Sequence, residues 1–212
     1  MEILSLFFII AIFLFSVIIH EVCHGLMADH LGDPTPRVAG RLTFNPIPHL
    51  DPIGSILVPL FLIIMSISTG GGFVFGWAKP VPVNPYNFRD QKYGKLKVGA
   101  AGVIANIILA IIFGISIRFL PTQGFFGNMA TFFRYIVWIN LLLATFNLFP
   151  LPPFDGFHIV SSLSPRFERK VESNPSMQFI SIIGAIFFLI YIEIPYIISP
   201  LFMLITGGKI GF

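Results

Sequence analysis

The stretch His20-Glu21-Val22-Cys23-His24 restricts the possible folds of this chain more than any other, because it ends an apolar run with three ionisable side chains. From Ile3 to Ile19 the only polar residues are Ser5 and Ser16. In a helix the two histidines lie one turn apart on a shared face, with Glu21 beside them where it can handle protons. The pattern is HExxH, a zinc-binding arrangement usually found on a water-exposed helix. Here the helix is predicted over residues 3 to about 27, long enough to cross a hydrocarbon core that needs roughly 20 residues. His20, Glu21 and His24 fall in its second half, at a depth where ionisable groups are expensive and are retained for function.

Composition points the same way. Of 212 residues, 55% are hydrophobic and 11% charged, against about 25% charged in a soluble domain. Such a chain cannot cover an ordinary water-exposed surface, so the expected class is an all-α polytopic membrane protein. The net charge is only +3, and the basic residues gather in loops instead of forming the long stripes that bind nucleic acid, which excludes that partner class. One cysteine excludes an intrachain disulfide. Met1-Glu2-Ile3 lacks a basic region and no cleavage site follows, so the first segment is expected to be a retained membrane helix and not a signal peptide.

Further full-length helices are predicted over 98–119 and 130–149. Residues 28–52 are rich in Gly, Pro, Asn and Asp, and the alternation in Arg41-Leu42-Thr43-Phe44-Asn45 suggests a short strand or hairpin. Residues 53–69 are apolar, and Gly70-Gly71-Gly72 breaks the run. Residues 79–97 form the most basic connection, 157–175 a polar loop, and 176–206 an apolar stretch interrupted by Glu193 and Pro195. That last stretch is either one broken helix or a short hairpin. No loop is long enough for a soluble domain, so one membrane domain is expected to cover 1–212.

A catalytic zinc takes three protein ligands and keeps one position open. His20 and His24 supply two, leaving Asp29, His30, Asp33, His49, Asp51, Asp155 and His158 as candidates for the third. Asp155 is preferred, since it follows the proline-broken end of an apolar helix and Gly156 permits close approach. Glu21 is then placed as general base, taking a proton from water and delivering it to a departing amine. Cys23 is expected to be a packing residue, and His49 and His158 to be interfacial histidines satisfied by backbone. Asn106, Asn140 and Asn147 can bridge helices or serve the free amides of an unwound peptide, with Asn147, two turns before Asp155, the strongest candidate for substrate contact.

The motifs together resemble the site-2 protease family of intramembrane zinc metallopeptidases, in its compact form without a PDZ domain. The resemblance rests on His20–His24, Gly32-Asp33-Pro34-Thr35, Asp51-Pro52-Ile53-Gly54, residues 76–85 (GWAKPVPVNP), Ala101-Gly102 with Asn106, and Asn147-Leu148-Phe149-Pro150 running to Asp155-Gly156. It implies one zinc per chain held by His20, His24 and Asp155, Glu21 as general base, Asn147 against the substrate, and membrane-embedded or membrane-adjacent peptides as substrates. Two positions depart from the family pattern: Val103 stands where proline is common after Ala-Gly, and Phe154 where leucine is common before Asp-Gly. Neither touches the implied ligands. The alternatives to set against protease activity are an intramembrane zinc or proton transporter and a non-catalytic scaffold.

Bringing residues 20–24 against Asp155 also constrains the path of the chain. If every apolar run crossed once, the histidines and Asp155 would lie towards opposite faces. The simplest repair lets 53–76 dip into the bilayer and return, which puts the loops 25–52, 77–97 and 157–175 on the site's side. Two of these loops are basic, so that side is expected to be cytoplasmic in the cell membrane.

Overall fold

A computed structural model describes residues 3–69, 76–121, 123–174 and 176–208. Helices account for all the regular structure among these residues, and no strand occurs. The long helices are α1 (Ile3–His30), α2 (Val58–Thr69), α3 (Gly94–Phe119) and α4 (Gly124–Asn147). Two short helices follow, α5 (Asp155–Leu163) and α6 (Pro165–Glu172), and then α7, which spans Ser176–Thr206.

Four stretches are long and apolar enough to cross a membrane: Phe7–His30, Gly94–Phe119, Gly127–Asn147 and Ser176–Thr206. The chain is an all-α polytopic membrane protein. In hydrocarbon each backbone N–H and C=O must be satisfied within the segment, which is why these runs are helical. Side chains such as Phe7, Ile108 and Phe187 point outward, as a lipid-facing surface requires. Helix α3 is central and packs on α1, α4, α5 and the end of α7. Ile117, Val137, Leu141, Ile198 and Phe202 form the core between α3, α4 and α7.

The segment after residue 51 leaves the bundle and comes back. Helix α2 continues without a break from a π-type helical segment over Pro52–Leu57. Beyond it, Trp77 N–H donates to the Gly54 carbonyl at 3.1 Å and Lys79 N–H to the His49 carbonyl at 2.9 Å. Residues 77–79 therefore lie back beside residues 49–54. The glycine break at 70–72 lies outside the described residues.

Two sequence expectations change, and one choice left open is resolved. Residues 41–45 form no strand; Pro46 and Pro48 follow immediately, and Asn45 N–H instead turns back to Thr43 Oγ1 at 3.1 Å. The loop expected at 157–175 is mostly helical, because both of its short helices have an inward face, which in α6 lies among charged residues. Gly156, Phe157 and Ser161 of α5 and Val171 of α6 are buried, and Pro165 opens α6 at a position that needs no N–H donor. The final stretch is a single helix with a wide, π-type segment over Leu189–Ile198 that contains Pro195. The widened ladder accommodates a residue that lacks an N–H.

Candidate metal centre

Helix geometry places His20 and His24 on one face of α1, and their Nε2 atoms lie 2.9 Å apart. Asp155, the first residue of α5, arrives from the other end of the chain and sets its Oδ2 3.0 Å from His20 Nε2 and 3.2 Å from His24 Nε2. Both imidazoles are buried. Two features permit this approach. At Gly102 of α3 a Cβ would fall 2.6 Å from His24 Nε2 and 2.7 Å from His20 Cε1, so bare backbone forms one wall of the site. At Gly156 a Cβ would strike the Leu148 carbonyl, so the turn into Asp155 closes only with glycine there.

The donor set fits a zinc ion. Two donors each ~2.0–2.1 Å from a tetrahedral zinc sit about 3.3 Å apart, close to the observed spacings. His24 Nδ1–H donates to the Val98 carbonyl at 2.6 Å, which fixes the tautomer and leaves the Nε2 lone pair free for metal. Asp155 Oδ2 is buried and lacks a well-formed hydrogen bond among the described residues. Burial would push this carboxyl up, but the two adjacent imidazoles outweigh it and hold Asp155 well below the usual carboxylate range.

Glu21 stands beside the cluster, with a carboxylate oxygen within 4.8 Å of the histidine nitrogens. Its Oε2 accepts the Val81 N–H at 2.8 Å. The extended segment carrying Val81 is tied down at several points. Arg41 Nη2 donates to the Lys79 and Pro80 carbonyls at 3.0 and 2.8 Å, and Asn84 N–H donates to Asp33 Oδ2 at 2.7 Å.

The other candidates for third ligand are engaged elsewhere or lie outside the cluster. Asp29 pairs with Arg37. Asp33 is fully buried and accepts from Thr35 N, Asn84 N and Asn87 Nδ2. His49 donates to the Thr43 carbonyl at 2.9 Å, Asp51 caps the turn that begins at Pro52, and His30 and His158 are exposed. Cys23 is half-buried and unpaired by any disulfide. Of the three asparagines, Asn147 is half-buried on the last turn of α4, its Nδ2 donating to the Leu143 carbonyl at 2.8 Å. Asn106 and Asn140 are 0% exposed, so neither faces an open surface. The residues that sequence reasoning missed are Val98, Val81 and Arg41, which act through backbone groups or contacts across many residues.

The model of peptidase family M50 matches residues 122–191, a stretch that includes Asp155 but not the HExxH motif. A Bacillus subtilis protein named "Putative zinc metalloprotease YwhC" is 38% identical over 156 residues, covering 71% of this chain and 66% of its own length. The chain belongs to peptidase family M50. Another relative, named "Putative zinc metalloprotease Rip2" from Mycolicibacterium smegmatis, is 29% identical over 76% of this chain and 59% of its own length. A third, "Zinc metalloprotease Rip1" from Mycobacterium bovis, is 43% identical over 47 residues, 22% of this chain and 12% of its own length. The M50 chain described here thus spans just under two thirds, or less, of the curated relatives it matches. No solved structure matches it.

Proposed function

We propose that this chain is an intramembrane zinc metalloprotease that hydrolyses peptide bonds of membrane-embedded or membrane-adjacent substrates. The observation that carries this reading is the meeting of His20, His24 and Asp155 at 3.0–3.2 Å with Glu21 alongside. The names of the relatives, zinc metalloproteases all, support it. His20 Nε2, His24 Nε2 and Asp155 Oδ2 are the atoms that would hold one zinc. When bound there, zinc supplies Lewis-acid activation of a water and of the scissile carbonyl.

The residues of the chain do the rest. Val98 and Gly102 orient the imidazoles, one by a hydrogen bond and the other by leaving room. Glu21, steadied at Oε2 by the Val81 amide, receives the proton of the attacking water at its free oxygen and passes it to the departing amine nitrogen. Asn147 holds the backbone of an unwound peptide beside the site. The buried flank formed by α3 and α4 excludes bulk water from the imidazoles.

The site is read as facing the cytoplasm. Ten of the thirteen Lys and Arg residues lie in 31–51, 76–97 and 155–174, the connections next to the site, and positive charge concentrates on that side of a membrane protein. The test is cleavage in liposomes by wild type and Glu21→Gln. The expected result is lost cleavage with zinc retained at one per chain; cleavage surviving in Glu21→Gln would overturn the assignment.

A further inference from the structure

We propose that Ser16, Asn106 and Asn140 enclose a buried water that holds His20 by Nδ1, making Asn106 and Asn140 positioning residues for the metal site. The inference rests on His20 being a zinc ligand, as proposed above.

The two histidines differ in what holds them. His24 Nδ1 is anchored on the Val98 carbonyl at 2.6 Å. His20 Nδ1 is buried and has no hydrogen-bond partner among the described residues. A metal-ligating histidine ordinarily donates its second ring N–H to a carbonyl, carboxylate or water, which fixes the tautomer and the ring plane.

The polar groups that could serve His20 lie one turn deeper. Helices α1 and α3 run antiparallel, with His24 against Val98 and His20 against Gly102. Continuing inward by four residues on each helix, Ser16 on α1 comes level with Asn106 on α3. Asn140 of α4 joins them, its Nδ2 donating to Ser16 Oγ at 2.9 Å. Side chains on a helix lean towards its N-terminus, so Asn106 leans over Gly102. That position has no side chain, and a Cβ there would lie 2.7 Å from His20 Cε1, the carbon between the two ring nitrogens.

The cluster is buried and incompletely bonded. Ser16 is 4% exposed, His20 5%, and Asn106 and Asn140 are 0% exposed. Four buried polar atoms in it have no partner among the described residues: His20 Nδ1, Asn106 Nδ2, Asn106 Oδ1 and Asn140 Oδ1. These comprise two donor groups and two acceptors, drawn from three helices. A buried water makes two to four hydrogen bonds to groups of this kind, and one water accepting from His20 Nδ1–H and donating to the asparagine carbonyls serves three of the four atoms, all but Asn106 Nδ2. It would do for His20 what the Val98 carbonyl does for His24. Nothing in this arrangement requires Asn106 or Asn140 to touch a peptide, which accounts for their placement away from any open face.

The test is zinc affinity by chelator competition on the purified full chain, comparing wild type with Asn106→Leu, alike in branching but larger and unable to hold a water, and Asn106→Ser, which leaves space and a hydroxyl. The expectation is zinc binding about 10–100-fold weaker in Asn106→Leu, with Asn106→Ser much nearer to wild type. Equal affinity in wild type and Asn106→Leu, or equal loss in both variants, would overturn the proposal. A wild-type chain that binds no zinc would instead sink the metalloprotease reading itself, so the two failures are distinguishable. Should Asn106→Leu not fold, a high-resolution structure of the zinc-loaded wild type decides. Water within hydrogen-bond distance of His20 Nδ1 supports the proposal, whereas a dry cluster or the Asn106 amide bonded directly to Nδ1 overturns it.

Discussion

Adding a single methyl group to the wall of the metal centre probes its geometry without touching any ligand. In Gly102→Ala the new Cβ would lie 2.6 Å from His24 Nε2 and 2.7 Å from the Cε1 atoms of both histidines. Ordinary carbon contacts begin near 3.5 Å, so both imidazoles must retreat by roughly 0.8–0.9 Å or α3 must withdraw. A zinc site tolerates ligand displacements of only about 0.2 Å. On the proposed ligand set, the imidazole that gives way would no longer reach the zinc, and the affinity loss should exceed the ~10–100-fold typical of a disturbed supporting residue. Global stability responds differently. Overpacking costs about 1–3 kcal/mol, while replacing glycine by alanine inside a helix returns about 1 kcal/mol. The net change is a loss of roughly 0–2 kcal/mol, small enough for the bundle to remain folded. The measurements are zinc content after gel filtration, zinc affinity by chelator competition and the thermal midpoint in detergent. The expected pattern is a nearly unchanged midpoint without metal, greatly weakened zinc binding and lost cleavage. Wild-type affinity and activity in Gly102→Ala would refute the packing argument, because the imidazoles could not then be where this geometry needs them.

Other perturbations separate the supporting parts. Val81→Pro deletes the N–H that Glu21 Oε2 accepts, in a segment already held extended by its neighbours Pro80 and Pro82; kcat should fall by about tenfold, a loss typical of weakened general-base catalysis, while zinc content stays at one per chain. Asp33 is held below its ordinary value because, against the effect of burial, Thr35, Asn87 and the Asn84 amide all donate to it. A depressed carboxylate contributes stability that is present above its unfolded value of about 3.9 and is lost as pH falls through the lower folded value. The thermal midpoint of wild type should therefore drop below about pH 4, and Asp33→Asn should be less stable at neutral pH and flatten that drop; parallel curves would count against the role of Asp33.

Much of the centre is legible in the sequence because its signals are local. Two histidines four residues apart must share a helical face, and an aspartate beside a glycine after Pro150–Pro153 marks a place where the chain turns sharply within reach of a membrane. The requirement that residues 20–24 meet Asp155 also leads to the expectation that 53–76 dips and returns, and the Trp77–Gly54 and Lys79–His49 hydrogen bonds hold residues 77–79 beside residues 49–54. What stays hidden is carried by backbone or by long separations. The Val98 carbonyl and the Val81 amide leave no trace in side-chain identity, and each lies at least 60 residues from its partner. Periodicity shows that Asn106 and Gly102 share a face, but it cannot show that α1 and α4 close over that face. Helix α6 is obscured by its charge and α5 by its shortness, since a few buried residues suffice to dock a short amphipathic helix.

Zinc K-edge absorption on the purified chain in detergent tests the central claim most directly. The account predicts one zinc per chain with two imidazole ligands and oxygen at about 2.0–2.2 Å, no sulfur at ~2.3 Å, and loss of stoichiometric zinc in Asp155→Ala. A chain that holds no stoichiometric zinc, or one whose zinc environment is unchanged in Asp155→Ala, would contradict it.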